Sequence, residues 1–134
     1  MSIPVNARVR AAPHFLGCLR AAYAFMQQQD AASAAVRFEK LQQEVVRARQ
    51  LISFEPASGR PARFLDTKSA WGQYQAAQAT RLARALGMPQ LRELVLARHV
   101  VLYAHNAQEA VLLAMRHERQ LTYQWPAGSH PMDH

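Results

Sequence analysis

Apolar residues follow a helical spacing through the first half of the chain and form short β-prone runs in its last third. Residues 4–10 alternate between apolar and polar side chains, and this period of two predicts a half-buried strand. The apolar stripe over residues 14–28 has helical spacing, and Pro13 suits the first position of that helix because no N–H is needed there. The chain is therefore expected to begin with a strand followed directly by a helix.

A second helix is predicted after Asp30, whose carboxylate can accept a hydrogen bond from an N–H of the first turn. The apolar residues of this helix alternate at spacings of three and four, which is typical of a narrow seam against another helix. The seam comprises Phe38, Leu41, Val45, Ala48 and Ile52. Because the polar link between the two helices is short, we expect them to form an antiparallel hairpin.

Two prolines and a glycine within residues 55–61 predict a loop after the hairpin. A further helix is predicted over residues 69–86, and Gly87 and Pro89 are expected to end it. Several residues of this helix fall on one side, namely Trp71, Tyr74, Gln78, Leu82 and Ala85.

Three β-prone runs at residues 91–96, 100–103 and 110–115 predict three consecutive antiparallel strands. Asn106 suits the turn between the second and third runs because asparagine tolerates left-handed backbone angles. Two adjacent leucines leave the third run open between strand and helix. The predicted fold class is α+β, with the N-terminal strand and the helical hairpin packed on a small antiparallel sheet that ends in a three-strand meander.

The length of 134 residues suits a single domain, which we assign to residues 1–125. The aperiodic residues 126–134 are expected to form a flexible tail. Sixteen Lys and Arg residues outnumber nine Asp and Glu residues, which gives a formal net charge of +7. A basic chain of this kind is attracted to nucleic acid, anionic lipid or an acidic protein.

The cysteine content and the hydropathy predict a cytoplasmic protein. Cys18 is the one cysteine, so no internal disulfide can form, and its apolar neighbours favour a packing role. No apolar run approaches the ~20 residues that span a bilayer, and the N-terminus lacks the pattern of a signal peptide. No cofactor is predicted. No metal is predicted either, because His130 and His134 alone do not supply the four ligands of a zinc site.

Several short motifs occur along these elements in a fixed order. Residues 51–60 carry an "L…P..GR" pattern, residues 92–94 read "REL", the next strand ends in Tyr103, and residues 116–120 contain a His-x-Arg element. In this order and spacing the chain resembles the RelE/ParE superfamily, the toxins of type II toxin–antitoxin systems, over residues 4–123.

The resemblance implies a compact α+β toxin domain that inhibits bacterial growth. It also implies an acidic or amphipathic antitoxin from an adjacent gene, which neutralises the toxin in a hetero-oligomer. The net charge of +7 agrees with such a partner. Residues 64–88, with the helix near 69–86, form an insertion relative to most members of the superfamily.

The superfamily has two activities. RelE-type members cut messenger RNA in the ribosome, and ParE-type members inhibit DNA gyrase. A metal-independent endoribonuclease needs a proton acceptor, a proton donor and cations around the phosphate. His117 is the candidate base or acid because histidine exchanges protons near neutral pH. Arg119 could hold a phosphate by two parallel bonds, and Tyr123 could stack on a base.

The sequence favours the ParE-type activity, which is not enzymatic. The strand at residues 99–103 lacks the arginine found in RelE-type nucleases, and the chain has only two lysines, neither of them in the sheet. The His-x-Arg ending is also more similar to ParE-type members. On this interpretation the residues that bind the target are Arg92, Arg98, Arg116 and Arg119.

Four alternatives stay open at this point. The chain could be a RelE-type ribosome-dependent endonuclease with His117, Arg119 and Tyr123 as its catalytic residues. It could be a basic nucleic-acid-binding module without toxicity, although it has no recognition-helix or RNA-binding signature. It could be a degenerate toxin that retains only antitoxin binding. His117 and Arg119 could also have a purely structural role at the end of the last strand.

Overall fold

A computed structural model describes residues 6–62, 69–120 and 123. It confirms the α+β class, with three α-helices and one five-stranded sheet in these residues. The start of the predicted first strand at residues 4–5 and the predicted tail at residues 126–134 lie outside the described part of the chain.

The chain opens with strand β1 (Arg8–Ala11) and helix α1 (Pro13–Gln29). Pro13 occupies the start of α1, where its missing N–H costs no helical hydrogen bond. Helix α2 (Ala31–Phe54) begins directly after Asp30, whose Oδ1 accepts a hydrogen bond from the N–H of Ala32 at 3.2 Å. The predicted cap and the predicted short link between the two helices are therefore confirmed.

The predicted seam of α2 is the surface that packs against α1 and the sheet. Leu41, Val45, Ala48 and Ile52 are all buried, and Phe38 is partly buried, with its ring centroid 4.8 Å from that of Tyr23 on α1. The helical hairpin thus covers one face of the sheet, which we call the hairpin face. On that face the core continues into the sheet residues Val101, Tyr103, Ala110, Leu112 and Met115.

Helix α2 also covers the outer edge of β1. The guanidinium of Arg49 donates to the carbonyl of Val9 at 3.0 Å. Ser53 donates through its hydroxyl to the carbonyl of Ala7 at 2.7 Å and accepts the N–H of Ala7 at its own carbonyl at 2.8 Å. These bonds satisfy backbone groups that an edge strand would otherwise expose to further strand pairing.

The predicted loop after α2 contains a 3-10 turn (Pro56–Ser58) and a two-residue strand, β2 (Arg60–Pro61). The meander then follows as β3 (Gln90–Val95), β4 (His99–His105) and β5 (Glu109–His117). The third β-prone run is therefore a strand, which removes the alternative of a helix. Asn106 forms the predicted turn, because its Oδ1 accepts the N–H groups of Gln108 and Glu109 at 2.8 Å each.

The strand order is β1-β5-β4-β3-β2. The β2–β3, β3–β4 and β4–β5 pairs are antiparallel, which confirms the predicted meander, whereas β1 joins the sheet as a parallel partner of β5, a pairing that the sequence did not predict. The pairing joins the first strand to the last, and local periodicity carries no information about such a distant contact. All seven residues of β4 are buried because the strand is central and both of its faces are covered.

Helix α3 (Ala70–Ala85) packs on the face of the sheet opposite the hairpin, which we call the outer face. Ser69 caps it through a 3.0 Å bond from the N–H of Gly72, and Gly87, with φ of +69°, follows its end. Among its described side chains, those of Gln75, Ala79 and Ala83 are buried.

Of the residues that the sequence grouped on one side of α3, Leu82 packs against the outer-face core, whereas Tyr74 and Ala85 are exposed. The small buried side chains of Ala79 and Ala83 bring the helix backbone close to the sheet. Within the described residues, no helix has both the length and the apolar character needed to cross a bilayer.

Candidate functional site

The Tyr103 hydroxyl connects two of the sequence motifs on the hairpin face of the sheet. It donates to the carbonyl of Pro56 at 2.7 Å and accepts the N–H of Gly59 at 2.9 Å. Burial raises the pKa of Tyr103, so the hydroxyl keeps the proton that it donates. The loop after α2 is thereby fixed to the middle of β4.

Only glycine fits at position 59. A Cβ atom there would lie 2.7 Å from the carbonyl oxygen of Glu93 and 2.8 Å from the Tyr103 hydroxyl. Both contacts are shorter than real Cβ atoms make, and the first involves backbone that cannot move away without disturbing the β2–β3 pair. The glycine of the "GR" motif therefore allows close approach of the loop to the sheet.

Arg92 lies on the hairpin face as well, and its guanidinium forms hydrogen bonds within the fold. Its Nη1 donates to the carbonyl of Gly59 at 2.9 Å, and its Nε donates to Nε2 of His105 at 3.0 Å. Burial lowers the pKa of His105, and the adjacent Arg92 charge lowers it further. A neutral imidazole is the form that can accept the hydrogen bond from Arg92 while its Nδ1 donates to the carbonyl of Asn106 at 3.4 Å.

The outer face carries a buried charged group, which we call the Glu93 cluster: Arg60, Glu93, Arg116 and Tyr123. Glu93 is 1% exposed, and its carboxylate accepts a hydrogen bond from the Tyr123 hydroxyl. The nearest nitrogens of Arg60 and Arg116 lie 3.7 and 3.9 Å from the carboxylate. Burial, and then the Glu93 charge, raise the pKa of Tyr123, so the phenol stays protonated as the donor.

Arg116 links this cluster to the turn after β5. Its Nη1 donates to the carbonyl of Gln120 at 2.7 Å, while the Oε1 of Gln120 accepts the N–H of His117 at 2.8 Å. Within the same turn, the N–H of Arg119 donates to Nδ1 of His117 at 3.1 Å. The position of the His-x-Arg element is therefore determined by Arg116 and by bonds within the turn.

His99, Arg98, His117 and Arg119 meet where β4 begins and β5 ends. His99 is the strand partner of His117, and the two ring centroids are 5.1 Å apart in an edge-to-face contact. The carbonyl of Arg98 accepts the N–H of Glu118 at 2.8 Å, which places the two turns side by side. Burial, and then the neighbouring His117, lower the pKa of His99 to about 4, with Glu118 acting in the opposite direction.

The structure brings together three of the predicted site residues. Arg98, His117 and Arg119 lie at this end of the sheet, and we call them the sheet-end surface. Both arginines are exposed there. Arg92 is not part of this surface, because it lies on the hairpin face opposite Tyr103 and is bound to Gly59 and His105.

Arg116 and Tyr123 lie on the outer face rather than on the sheet-end surface. The Arg116 guanidinium is 5.5 Å from the centre of the Tyr123 ring, and both side chains contact Glu93. Tyr123 is only 2% exposed, so this structure offers no open ring face for the base stacking that the sequence suggested. Burial of the apolar ring and the bond to Glu93 account for this position.

The sequence pattern alone did not identify Glu93 as a buried charge or His99 as a site residue. A signal for Glu93 existed, because the period of two places it on the same face of β3 as the buried Leu91. No such signal exists for His99, which becomes notable only through its pairing with His117. Within the described part of the chain, no three His, Cys, Asp or Glu side chains group as a metal site would require.

No protein-family model and no curated protein sequence matches this chain. The contacts of the described residues are therefore what bears on its function.

Proposed function

We propose that this chain is the toxin of a type II toxin–antitoxin pair, that it belongs to the RelE/ParE superfamily, and that it acts in the cytoplasm. The observation that carries the proposal is that the motif segments of the resemblance contact one another in space. The "P..GR" loop binds Tyr103 and Arg92, and Arg60 of that loop faces Glu93 of "REL". Contact between the motif segments in the folded chain supports the resemblance to the superfamily more strongly than their order in the sequence does.

The proposed target is DNA gyrase, which the chain inhibits by binding and not by catalysis. A ribonuclease without metal needs proton-transferring groups and cations around one phosphate. Here Arg92 and Arg116 are engaged by Gly59, His105, Glu93 and Gln120, and Nδ1 of His117 accepts the N–H of Arg119. Of the four predicted target-binding arginines, the two exposed ones, Arg98 and Arg119, are then the residues that contact the target.

A second candidate is RNA cleavage in the ribosome. One observation favours it, which is the contact of His99 with His117 next to two exposed arginines. Histidine and arginine together can transfer a proton and stabilise a phosphate charge. On this alternative His117 is the catalytic base or acid, and Arg119 binds the phosphate.

The proposed partner is an antitoxin encoded by the adjacent gene. The net charge of +7 suits an acidic or amphipathic polypeptide, which would neutralise the toxin in a hetero-oligomer. No cofactor or metal enters the proposal.

The purified chain is expected to inhibit supercoiling by gyrase and to leave ribosome-bound messenger RNA intact. Arg119→Ala should weaken inhibition, because a few residues usually dominate a protein interface. His117→Ala should have a mild effect, since most truncations at an interface are mild. Arg20→Ala, at an exposed position on α1, serves as the matched control and should inhibit like the wild type.

The same variants distinguish the second candidate. A nuclease that uses His117 for proton transfer should lose about 100- to 10,000-fold in cleavage rate on His117→Ala. Ribosome-dependent cleavage by the wild type that disappears in His117→Ala would contradict gyrase as the target.

A further inference from the structure

Helix α3 presents a basic and aromatic stripe to solvent. Tyr74 is 49% exposed, and Arg81 and Arg84 are exposed as well. Tyr74 and Arg81 are seven residues apart, which is close to two helical turns, and Arg84 follows within one further turn. The three side chains therefore lie along one side of the helix, and we call them the α3 stripe.

The opposite side of α3 is anchored to the sheet. Ala79 and Ala83 are 0% and 1% exposed, and they belong to the same core cluster as Leu102 and Leu113 of the central strands. Gln75 is buried on this side too. The stripe is thus displayed on a helix whose orientation the core determines.

The sequence of this helix carries arginine without acidic residues. Residues 67–92 contain no Asp or Glu, and among the described residues neither Arg81 nor Arg84 takes part in an ion pair. Helix α2 differs, because it interleaves arginine and lysine with Glu39 and Glu44. Positive charge without nearby carboxylates attracts an anionic partner more strongly than a mixed surface does.

We infer that the α3 stripe binds single-stranded nucleic acid, with Arg81 and Arg84 on backbone phosphates and Tyr74 stacked on a base. Phosphate-binding arginines next to an exposed aromatic ring are the combination that single-strand-binding surfaces use. An acidic polypeptide would satisfy the arginines, but it has no flat base to stack on the tyrosine. The chemistry is shared by DNA and RNA, so the experiment includes both.

The test is a fluorescence-anisotropy titration of the full chain with labelled single-stranded DNA and RNA oligonucleotides over a range of salt concentrations. The double variant Arg81→Gln and Arg84→Gln should reduce the slope of log affinity against log salt by about 1.4, because each phosphate contact contributes about 0.7. Tyr74→Ala should weaken binding by about 5- to 150-fold. The oligonucleotide that binds more tightly shows whether the stripe prefers DNA or RNA.

The matched control is the double variant Arg20→Gln and Arg47→Gln, which removes two exposed arginines from the helical hairpin and lowers the net charge equally. It should retain affinity, and both double arginine variants should keep the thermal midpoint because those four positions are exposed. Equal losses in the control and the stripe variant would show diffuse charge attraction and overturn the inference.

Two other results would also overturn it. One is failure of the wild type to bind either oligonucleotide. The other is binding of polyglutamate as tightly as nucleic acid, with no effect of Tyr74→Ala, which would assign the stripe to an acidic protein. Nucleic-acid binding by the α3 stripe does not depend on toxin activity. Binding without growth inhibition would therefore contradict the proposed function but support the inference about the stripe.

Discussion

Replacing Glu93 with alanine is expected to lower the free energy of unfolding by about 3–5 kcal/mol. The carboxylate is buried, and its removal leaves the Arg116 guanidinium, whose side chain is 12% exposed, without its nearby negative charge. The Tyr123 hydroxyl also loses its acceptor. A buried polar group without a partner carries its full desolvation cost, so both losses act in the same direction.

The measurement is unfolding by urea, with the free energy extrapolated to water. Glu93→Gln should recover part of the loss, because the amide oxygen can accept from Tyr123 but cannot neutralise arginine. Glu39→Ala, at an exposed glutamate on α2, should change the free energy by no more than about 0.5 kcal/mol. Glu93→Ala with wild-type stability would mean that the Glu93 cluster does not stabilise the fold.

Acidification is expected to destabilise the native state through His99 as the pH falls from about 6.5 to about 4. Burial lowers the pKa of His99 in the folded chain, so within this window the unfolded chain binds a proton that the native chain does not bind. The contribution is fully present above pH 6.5 and is lost towards pH 4. This lowering of the pKa corresponds to no more than about 3 kcal/mol, and solvent near the ring screens part of that effect.

This pH dependence is measured as unfolding free energy against pH for the wild type and for His99→Gln. The substitution removes the titrating group, so the curve should become flatter between pH 4 and 6.5, whatever its effect on absolute stability. His105 remains as a second contributor of the same sign, because its pKa is also lowered by burial. Identical pH dependence in the two proteins would show that His99 does not titrate as its burial implies.

Much of the fold could be predicted because it depends on the local spacing of apolar residues and on single capping and turn residues. The seam from Phe38 to Ile52 identified the face of α2, and Asp30 marked the start of that helix. The turn at Asn106 also followed from the chemistry of one side chain. Each of these features depends on residues that are close together in the sequence.

The remainder of the fold depends on contacts between distant segments. The parallel β1–β5 pair joins residues about 100 positions apart, and β2 is only two residues long, too short to leave a periodic pattern. The packing side of α3 was not predicted, because Ala79 and Ala83 are too small to stand out in the apolar pattern and contribute by letting the helix approach the sheet closely.

The candidate site was predicted in part, because the predicted strand boundaries already determine which residues lie at the strand ends. Arg98, His117 and Arg119 lie in two turns that the strand assignment already placed at neighbouring strand ends. That Arg92 and Arg116 lie on opposite faces of the sheet depends instead on the pairing register of strands β3, β4 and β5. Arg92 pairs with Tyr103 and Arg116 with Val100, and alternation then places their side chains on opposite faces of the sheet.

Helix α3 determines which surfaces of the sheet are accessible. Together with Tyr123, this helix covers the outer face of β4 and β5, including Leu102, Leu113 and Ala114, which are all 0% exposed. The outer face of these strands is therefore closed to a binding partner, whereas the sheet-end surface and the exposed side of α3 are both accessible. This is a physical reason to test the two surfaces with separate variants.

The most direct test of toxin function is growth of a bacterial host that expresses this chain from an inducible promoter, with and without the adjacent reading frame. Expression of the chain alone should stop growth, with filamentation and a DNA-damage response if gyrase is the target. Co-expression of the neighbour should restore growth, and the double variant Arg98→Ala and Arg119→Ala should be soluble and harmless. Normal growth of cells that accumulate the soluble wild-type protein would contradict the assignment as an active toxin.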